Sequence, residues 1–361
     1  MERKLASVRV INDIHPIDRA DMIELAIVDG WKVVVAKNVG HKVGDMVVYC
    51  EIDSFLPIRE EFEFLRKSSY KKMGEQEGFR LKTIKLRGQV SQGLILPLNV
   101  LKTTEIIQTK ITKQVWGNQI ELFAEDGTPM VDIGDDVTEV LGIVKYEPPI
   151  PAELSGKVKG LFPSFLRKTD EERVQNLAKE YEGYKLTSAH KFYVTEKLDG
   201  SSATFYFKDG VFGVCSRNLE LIETEGNTFW KVARELRLEE LLGTLENNIC
   251  LQGELIGEGV QGNPYKIKGQ TVRFFNGFNI DTQENIPFLE FVETVQKMGL
   301  KTVPILDYEF LLPDTVEGML EYADQKSELN SNFDREGVVV RSYDRTISFK
   351  SISNKFLLNE K

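Results

Sequence analysis

Along residues 1–145, short β-branched runs alternate with turn residues. Ser7-Val8-Arg9-Val10-Ile11, Glu24-Leu25-Ala26-Ile27-Val28, Trp31-Lys32-Val33-Val34-Val35 and Met46-Val47-Val48-Tyr49-Cys50 all have strand composition. Asp29-Gly30 joins the second and third as a tight hairpin. Evenly spaced short strands of this kind predict a small antiparallel barrel. The charge-dense insert Arg59 to Gly78 predicts helix and mobile loop, and the region from Asp135 to Val144 a last barrel element. Glu147-Pro148-Pro149-Ile150-Pro151 then forms a stiff joint, because proline fits neither a helix interior nor a central strand.

Beyond the joint the pattern mixes strands with amphipathic helices. Lys168 to Leu177 predicts the opening of a helix capped by Thr169 or Asp170, with acids in the first turn. Phe229 to Leu242 and Ile286 to Met298 predict two more, the second with Phe288, Phe291, Val292 and Val295 as its apolar stripe. Lys191 to Thr195, Ala203 to Phe207, Val211 to Cys215, Leu251 to Gly257, Phe274 to Ile280 and Val338 to Val340 read as strands, with a hairpin turn at Asp209-Gly210. The fold class is therefore α+β, with a barrel domain over 1–145 and a second domain of antiparallel sheets with flanking helices over 146–361.

Composition narrows the class. The chain has 361 residues, 41% hydrophobic and 28% charged, as in soluble globular proteins of two domains. No run approaches the ~18 apolar residues of a membrane span, and the start lacks a signal-peptide core, so no membrane partner and an intracellular, cytoplasmic location are expected. Cys50, Cys215 and Cys250 are unclustered and read as reduced core thiols; His15, His41 and His190 are scattered and do not suggest a metal site, and His190 reads as a surface or capping residue. The net charge of −10 runs against a basic nucleic-acid footprint, yet Arg80, Lys82, Lys85 and Arg87 gather four cations in eight residues with no acid. Strand alternation puts Arg80 and Lys82 on one face and Lys85 and Arg87 on the other unless a turn or bulge intervenes. A solvated edge strand protected by charge explains them equally well.

The richest chemistry lies in Glu196-Lys197-Leu198-Asp199-Gly200-Ser201-Ser202, where a strand opens into a glycine-bearing loop. Lys197 reads as a nucleophile, although an amine of pKa ~10.4 must lose its proton before it attacks phosphorus. Alone, Lys-x-Asp-Gly fits a solvated turn equally well. Further on stand Arg217 after a hairpin strand, Glu254 inside an apolar strand where a bare charge is costly, Phe275 in a run of aromatic and small residues, Glu336 before a β-branched strand, and Lys350. Glu254 and Glu336 pairing with Arg273 and Arg341, and the phenylalanines filling a core, are the bland alternatives for each residue taken singly.

In this order the segments resemble the covalent nucleotidyltransferase superfamily of ATP-dependent RNA ligases, DNA ligases and capping enzymes. The first domain resembles oligonucleotide-binding (OB) barrels, and Arg87-Gly88-Gln89-Val90-Ser91-Gln92-Gly93-Leu94 resembles the amino-terminal barrel of one RNA ligase family. The barrel precedes the catalytic segments and only Ser351 to Lys361 follow Lys350, an arrangement similar to the RNA ligases typified by the Deinococcus and Naegleria enzymes. The resemblance implies that Lys197 carries AMP. It implies that Glu196, Asp199, Gly200, Arg217, Glu254, Phe275, Glu336 and Lys350 bind the nucleotide, with Phe275 stacking on adenine and Lys350 gripping the α-phosphate. Asp199, Glu254 and Glu336 would serve Mg²⁺ or Mn²⁺, and Arg80, Lys82, Lys85 and Arg87 the pyrophosphate or nucleic acid. ATP and RNA, or an RNA-containing nicked duplex, are the expected partners of a monomeric chain. Ser348 departs from the family pattern, which often has a cation two residues before the last lysine. A DNA ligase or capping enzyme, and a noncatalytic RNA-binding protein on the same scaffold, are the rival readings.

Overall fold

The strand Ala6–Pro16 organises the first half of the computed structural model because it belongs to two ladders. Residues 6–10 pair with Met46–Cys50 and residues 11–16 with Ile23–Val28, with a register shift between Ile11 and Asp13. Such a shift bends a strand and sharpens its twist, so one strand curls a five-stranded sheet in the order Leu94–Pro97, Met46–Cys50, Ala6–Pro16, Ile23–Val28, Trp31–Ala36. Trp31, Val33 and Val35 point inward, as the period of two requires. The structure describes residues 4–102, 112–115, 118–121, 130–146, 157–186 and 191–359. The chain divides into two compact units, Met1–Pro149 and Ile150–Lys361. The proline-rich joint and His190 lie outside the described residues.

The insert at 59–78 differs from expectation. After a 3-10 turn at Glu60–Leu65 and a single helical turn at Arg66–Ser69, it forms a hairpin of Tyr70–Met73 and Gln76–Arg80. That hairpin extends a four-stranded sheet with Ser54–Pro57 and Val144–Lys145. Phe62 and Phe79 are fully buried among Leu56, Leu81 and Leu141, which ties the insert to the core. A Cβ on Gly78 would stand 2.4 Å from the Leu56 carbonyl oxygen, so glycine is required for that approach. The insert's charges stay outside, with Lys72 meeting Glu77 across the hairpin at 2.8 Å.

The second unit is built on two sheets. One has seven strands in the order Val158–Leu161, Leu219–Leu221, Val211–Cys215, Ser201–Lys208, Ile249–Gly257, Gln270–Asn279, Glu284–Asn285. The other has five, in the order Glu172–Arg173, Ser348–Ile352, Gly337–Ser342, Phe192–Lys197, Ile305–Phe310. Neighbours are antiparallel except Glu172–Arg173, which runs parallel to Ser348–Ile352. Phe288–Lys297 forms the expected helix and buries Phe288, Phe291, Val292 and Val295. The helix expected over Phe229 to Leu242 is two helices, Thr228–Glu235 and Leu238–Gly243, because Arg237 adopts a left-handed conformation between them. Around Lys168 to Leu177 there is a short strand and a 3-10 turn, and the helix starts only at Ala178. Asp170 and Glu171 are drawn to cations of the neighbouring strands instead of capping a helix. All three cysteines are free and buried. No helix among the described residues is long and apolar enough to cross a membrane.

Phe274 is fully buried beside Phe205, whereas Leu311 is 87% exposed. Phe274→Ala is expected to cost ~3–5 kcal/mol in chemical denaturation, through lost burial and the cavity left behind. Leu311→Ala should stay within ~0.5 kcal/mol, as surface changes away from special features do. Equal effects would contradict the placement of the core.

Candidate active site

Alternation along the five-stranded sheet sorts its residues between two faces. Tyr193, Thr195 and Lys197 lie opposite Arg341, Val339 and Gly337, which in turn lie opposite Ser348, Lys350 and Ile352. Directly opposed residues share a face, so Lys197 and Lys350 project to the same side. The other face carries Phe192, Val194, Val338, Val340 and Phe349 into an apolar core. Glu196 follows that second parity: it is buried, and its Oε2 accepts from the Glu328 backbone N–H at 2.8 Å. Its side chain therefore belongs to the wall behind the site.

Lys197 ends its strand, and Ser201 begins a strand of the seven-stranded sheet, so Leu198 to Gly200 carry the chain from one sheet to the other. A Cβ on Gly200 would fall 2.4 Å from the Leu255 carbonyl oxygen and 2.8 Å from Glu254 Cγ. Only glycine allows this crossing beside Glu254. The Asp199 N–H donates to the Tyr265 hydroxyl at 2.6 Å, and Gln261 Nε2 donates to the Gly200 carbonyl at 3.3 Å. Glu336 immediately precedes Gly337, the ladder partner of Lys197, and Lys197 Nζ donates to its Oε1 at 2.6 Å. Glu254 comes from the seven-stranded sheet, opposite Ser202.

The charges form an unequal group. Burial works against the Lys197 ammonium, but Glu336, Glu254 and Asp199 outweigh it and push its pKa above the ordinary lysine value. Burial pushes Glu254 up to about 8, against the pull of Lys197 and with help from Glu336 and Asp199. Burial lowers Lys350 to about 8, against Asp170, with Arg173 and Lys197 adding repulsion. The lysine thus holds its proton tightly, in a field of carboxylates that a further cation would offset. Among the described residues no three His, Cys, Asp or Glu side chains form a metal cage. The excess of buried carboxylate around Lys197 suits a divalent ion that keeps most of its water and shares phosphate oxygens, as Mg²⁺ does.

Asp170 Oδ1 accepts from Lys350 Nζ at 3.0 Å, and its Oδ2 lies 3.4 Å from Arg217 Nη2. One carboxylate therefore bridges Lys350 and Arg217. Arg341, 3% exposed, pairs with Glu171 at 2.7 Å, and Ser348 donates its hydroxyl to the same carboxylate. The ladder partner of Ser348 is Arg341, so a cation does stand beside the departing position, but it is tied to Glu171. Arg173, beside Lys350 in the parallel ladder, adds another.

Phe275 occupies a bulge. Gln252 pairs with Asn276 and Gly253 with Phe274, which leaves Phe275 as the extra residue. A bulge re-aims a side chain; Phe274 enters the core, while Phe275 packs near Leu198, Ile256 and Tyr265 with the Arg341 guanidinium 5.8 Å above its ring. In the first unit, Arg80 lies over the Tyr146 ring at 4.6 Å and 3.7 Å from Asp53. Lys85 and Arg87 belong to an exposed hairpin of Ile84–Leu86 and Gln89–Ser91 that turns through left-handed Arg87 and Gly88, and Lys82 is exposed just before it.

The structure brings Lys197, Asp199, Glu254 and Glu336 together electrostatically, with Lys350 and Arg217 joined through Asp170. The alternative pairing of Glu336 with Arg341 does not occur, since Glu336 meets Lys197 and Arg341 meets Glu171. Asp170, Glu171, Arg173 and Tyr265 were not among the residues expected at the site. The acids of Thr169-Asp170-Glu171-Glu172 resemble a helix start, and only the parallel ladder reveals their partners.

The two sheets of the second unit thus meet at a lysine acted on by three carboxyl groups. Residues 5–98 match an OB-fold domain family, and residues 190–356 match the RNA ligase family. A lysine-to-methionine variant of Naegleria gruberi RNA ligase with AMP and Mn is similar to this chain at 43% identity and a TM-score of 0.84, over 98% of each chain. The N. gruberi ligase with PPi matches at 43% identity and a TM-score of 0.84, over 99% of this chain and 98% of that one. A lysine-to-alanine variant with ATP and Mn matches at 42% identity and a TM-score of 0.83, over 98% of each. No curated protein matches the chain. The chain belongs to the RNA ligase family.

The displaced groups make stability depend on pH. With its folded pKa raised from 4.5 to about 8, Glu254 keeps a proton in the fold that the unfolded chain has released. Its contribution is full below about pH 4.5 and is lost as pH rises towards 8. Lys350, lowered from 10.5 to about 8, acts oppositely: the unfolded chain holds the extra proton, so stability rises between those values. In metal-free denaturation, Glu254→Gln should flatten the fall between pH 5 and pH 8, on the order of the window set by these values. An unchanged slope would contradict the placement of Glu254.

Proposed function

We propose that this ATP-dependent RNA ligase joins an RNA 3′-hydroxyl to a 5′-phosphate at a nick in a duplex, through AMP carried on Lys197. The observation that carries the reading is the 2.6 Å contact of Lys197 Nζ with Glu336 Oε1 inside a group of carboxylates, at the crossing between two sheets. Likeness to the N. gruberi enzyme, solved with AMP, ATP and Mn, supports ATP and Mn²⁺ or Mg²⁺ for this chain. Residues 1–145 then form the OB domain and 146–361 the adenylyltransferase domain of a cytoplasmic monomer.

Asp199, Glu254 and Glu336 would hold the metal ion, largely through water. Bound there, the ion supplies positive charge that offsets the carboxylate field and neutralises phosphate oxygens. Lys197 Nζ gives one proton to solvent, attacks the α-phosphorus of ATP, and loses a second proton as the N–P bond forms. The bond from that phosphorus to the bridging oxygen breaks, pyrophosphate leaves, and a phosphoramidate to AMP remains. An oxygen of the RNA 5′-phosphate next attacks the AMP phosphorus, the N–P bond breaks, and Lys197 recovers a proton. The 3′-hydroxyl then attacks the activated 5′-phosphorus, loses its proton, and AMP leaves.

Each step concentrates charge on phosphate oxygens, so positioning and electrostatics dominate. Lys350 and Arg217 serve those oxygens, exchanging Asp170 for phosphate as nucleotide enters. Phe275 offers its ring to adenine, and Glu254 takes the ribose or a metal-bound water. Lys82, Lys85 and Arg87, with Arg80 at the base of their segment, are the candidates for the departing pyrophosphate or the nucleic acid.

Lys197→Ala is expected to lose joining of a 5′-phosphorylated nick while still sealing a nick whose 5′ end is already adenylylated, because the last step does not use the amine. Gel-based sealing of both substrates reads this out. Wild-type joining of the phosphorylated nick by that variant would overturn the assignment.

A further inference from the structure

The seven-stranded sheet begins with a segment that the steps above leave unused. Residues 157–168 contain Lys157, Lys159, Arg167 and Lys168 and no acid, in a chain whose net charge is −10. Interleaved with them are Leu161, Phe162 and Phe165. Val158–Leu161 is an edge strand, paired with Leu219–Leu221 along one side. It leads directly towards the nucleotide site: the Phe162 N–H donates to the Asn218 carbonyl at 2.9 Å, and Lys168 Nζ donates to Asn218 Oδ1 at 2.9 Å. Asn218 follows Arg217, whose guanidinium lies by Asp170 and, through it, Lys350.

The side chains are arranged rather than loose. Lys168 Nζ stands 5.8 Å above the Phe162 ring and Lys208 Nζ 5.8 Å above the Phe165 ring, while Phe165 meets Tyr206 edge-on at 5.2 Å. Arg167 donates to the Gln283 carbonyl and lies over Phe278. Lys159 is partly neutralised by Glu220 at 2.7 Å. Among the described residues, Lys157, Arg167 and Lys168 are not drawn onto a carboxylate. Leu161 is 81% exposed in their midst. Lysines alone would suffice to guard an edge strand against pairing with another chain. An exposed leucine, two cation-topped rings and continuity with Arg217 exceed that need and match how single strands are bound, with cations along the backbone and apolar or aromatic ground under bases and sugars.

We propose that this strip is where the RNA strand being sealed approaches the active site. Lys157, Arg167 and Lys168 take successive backbone phosphates, and Leu161 with the rims of Phe162 and Phe165 takes the adjacent sugars or bases. Such interactions fix register without reading sequence. The inference rests on the RNA ligase reading above and names the surface on which that substrate lies.

The test uses the full chain carrying Lys157→Ala, Arg167→Ala and Lys168→Ala together, with a nicked duplex whose 3′-hydroxyl strand is RNA and whose 5′ end is already adenylylated. AMP uptake from labelled ATP should match wild type, which also reports an intact fold. Affinity for the adenylylated nick should fall by about ten-fold or more, and the plot of log affinity against log salt should flatten by roughly 0.7–0.9 for each phosphate that the variant no longer neutralises. Leu161→Ser should weaken binding without changing the salt slope. Unchanged affinity and slope in the triple variant would overturn the proposal. So would parallel loss of AMP uptake, which would assign the strip to the nucleotide site. If wild type takes AMP but does not bind the nick, the RNA substrate reading fails; if wild type binds and the variants bind equally well, the strip alone fails.

Discussion

The second unit depends on a charge imbalance held at the crossing of its two sheets. Lys197 contributes one ammonium, while Glu336 touches it and Glu254 and Asp199 act on it through the site. Buried charge is costly unless paired, and this group has more carboxylate than its lysine can pair. The imbalance raises the pKa of Lys197, and burial, helped by Glu336 and Asp199, pushes Glu254 up to about 8. Added positive charge beside these carboxylates would lower the one pKa and the other together.

The second group of charges follows a similar logic with the signs exchanged. Lys350 and Arg217 face one carboxylate, Asp170. Arg341 is different. Its pairing with Glu171, reinforced by Ser348, is buried, and removal of one partner from such a pair typically costs ~3–5 kcal/mol. That pair belongs to the scaffold, with Ser348 bonded to the same carboxylate.

Much of this was legible in the sequence. The β-branched runs, the Asp29-Gly30 and Asp209-Gly210 turns and the apolar stripe of Phe288 to Val295 all correspond to elements of the fold, because local periodicity decides them. The order Lys197, Arg217, Glu254, Phe275, Glu336, Lys350 carried the resemblance to the RNA ligases, the family to which the chain belongs. Partnerships decided by distant strands were hidden. Nothing local tells Glu171 that Arg341 lies 170 positions away, or tells Asp170 that it faces Lys350 and Arg217. The acids therefore read as a helix start. Register was hidden too: the bulge that re-aims Phe275 arises from its pairing with Gln252 and Gly253, and the parity that turns Glu196 into the back wall depends on which face of the sheet is covered.

The most direct test of the central claim is incubation of metal-free, AMP-free protein with α-labelled ATP and Mg²⁺ or Mn²⁺, followed by denaturing separation and peptide mapping. Acid-labile label on the peptide containing Lys197, dependent on the added metal, is the expected result. Label on another residue, or none from folded protein with either metal, would contradict it.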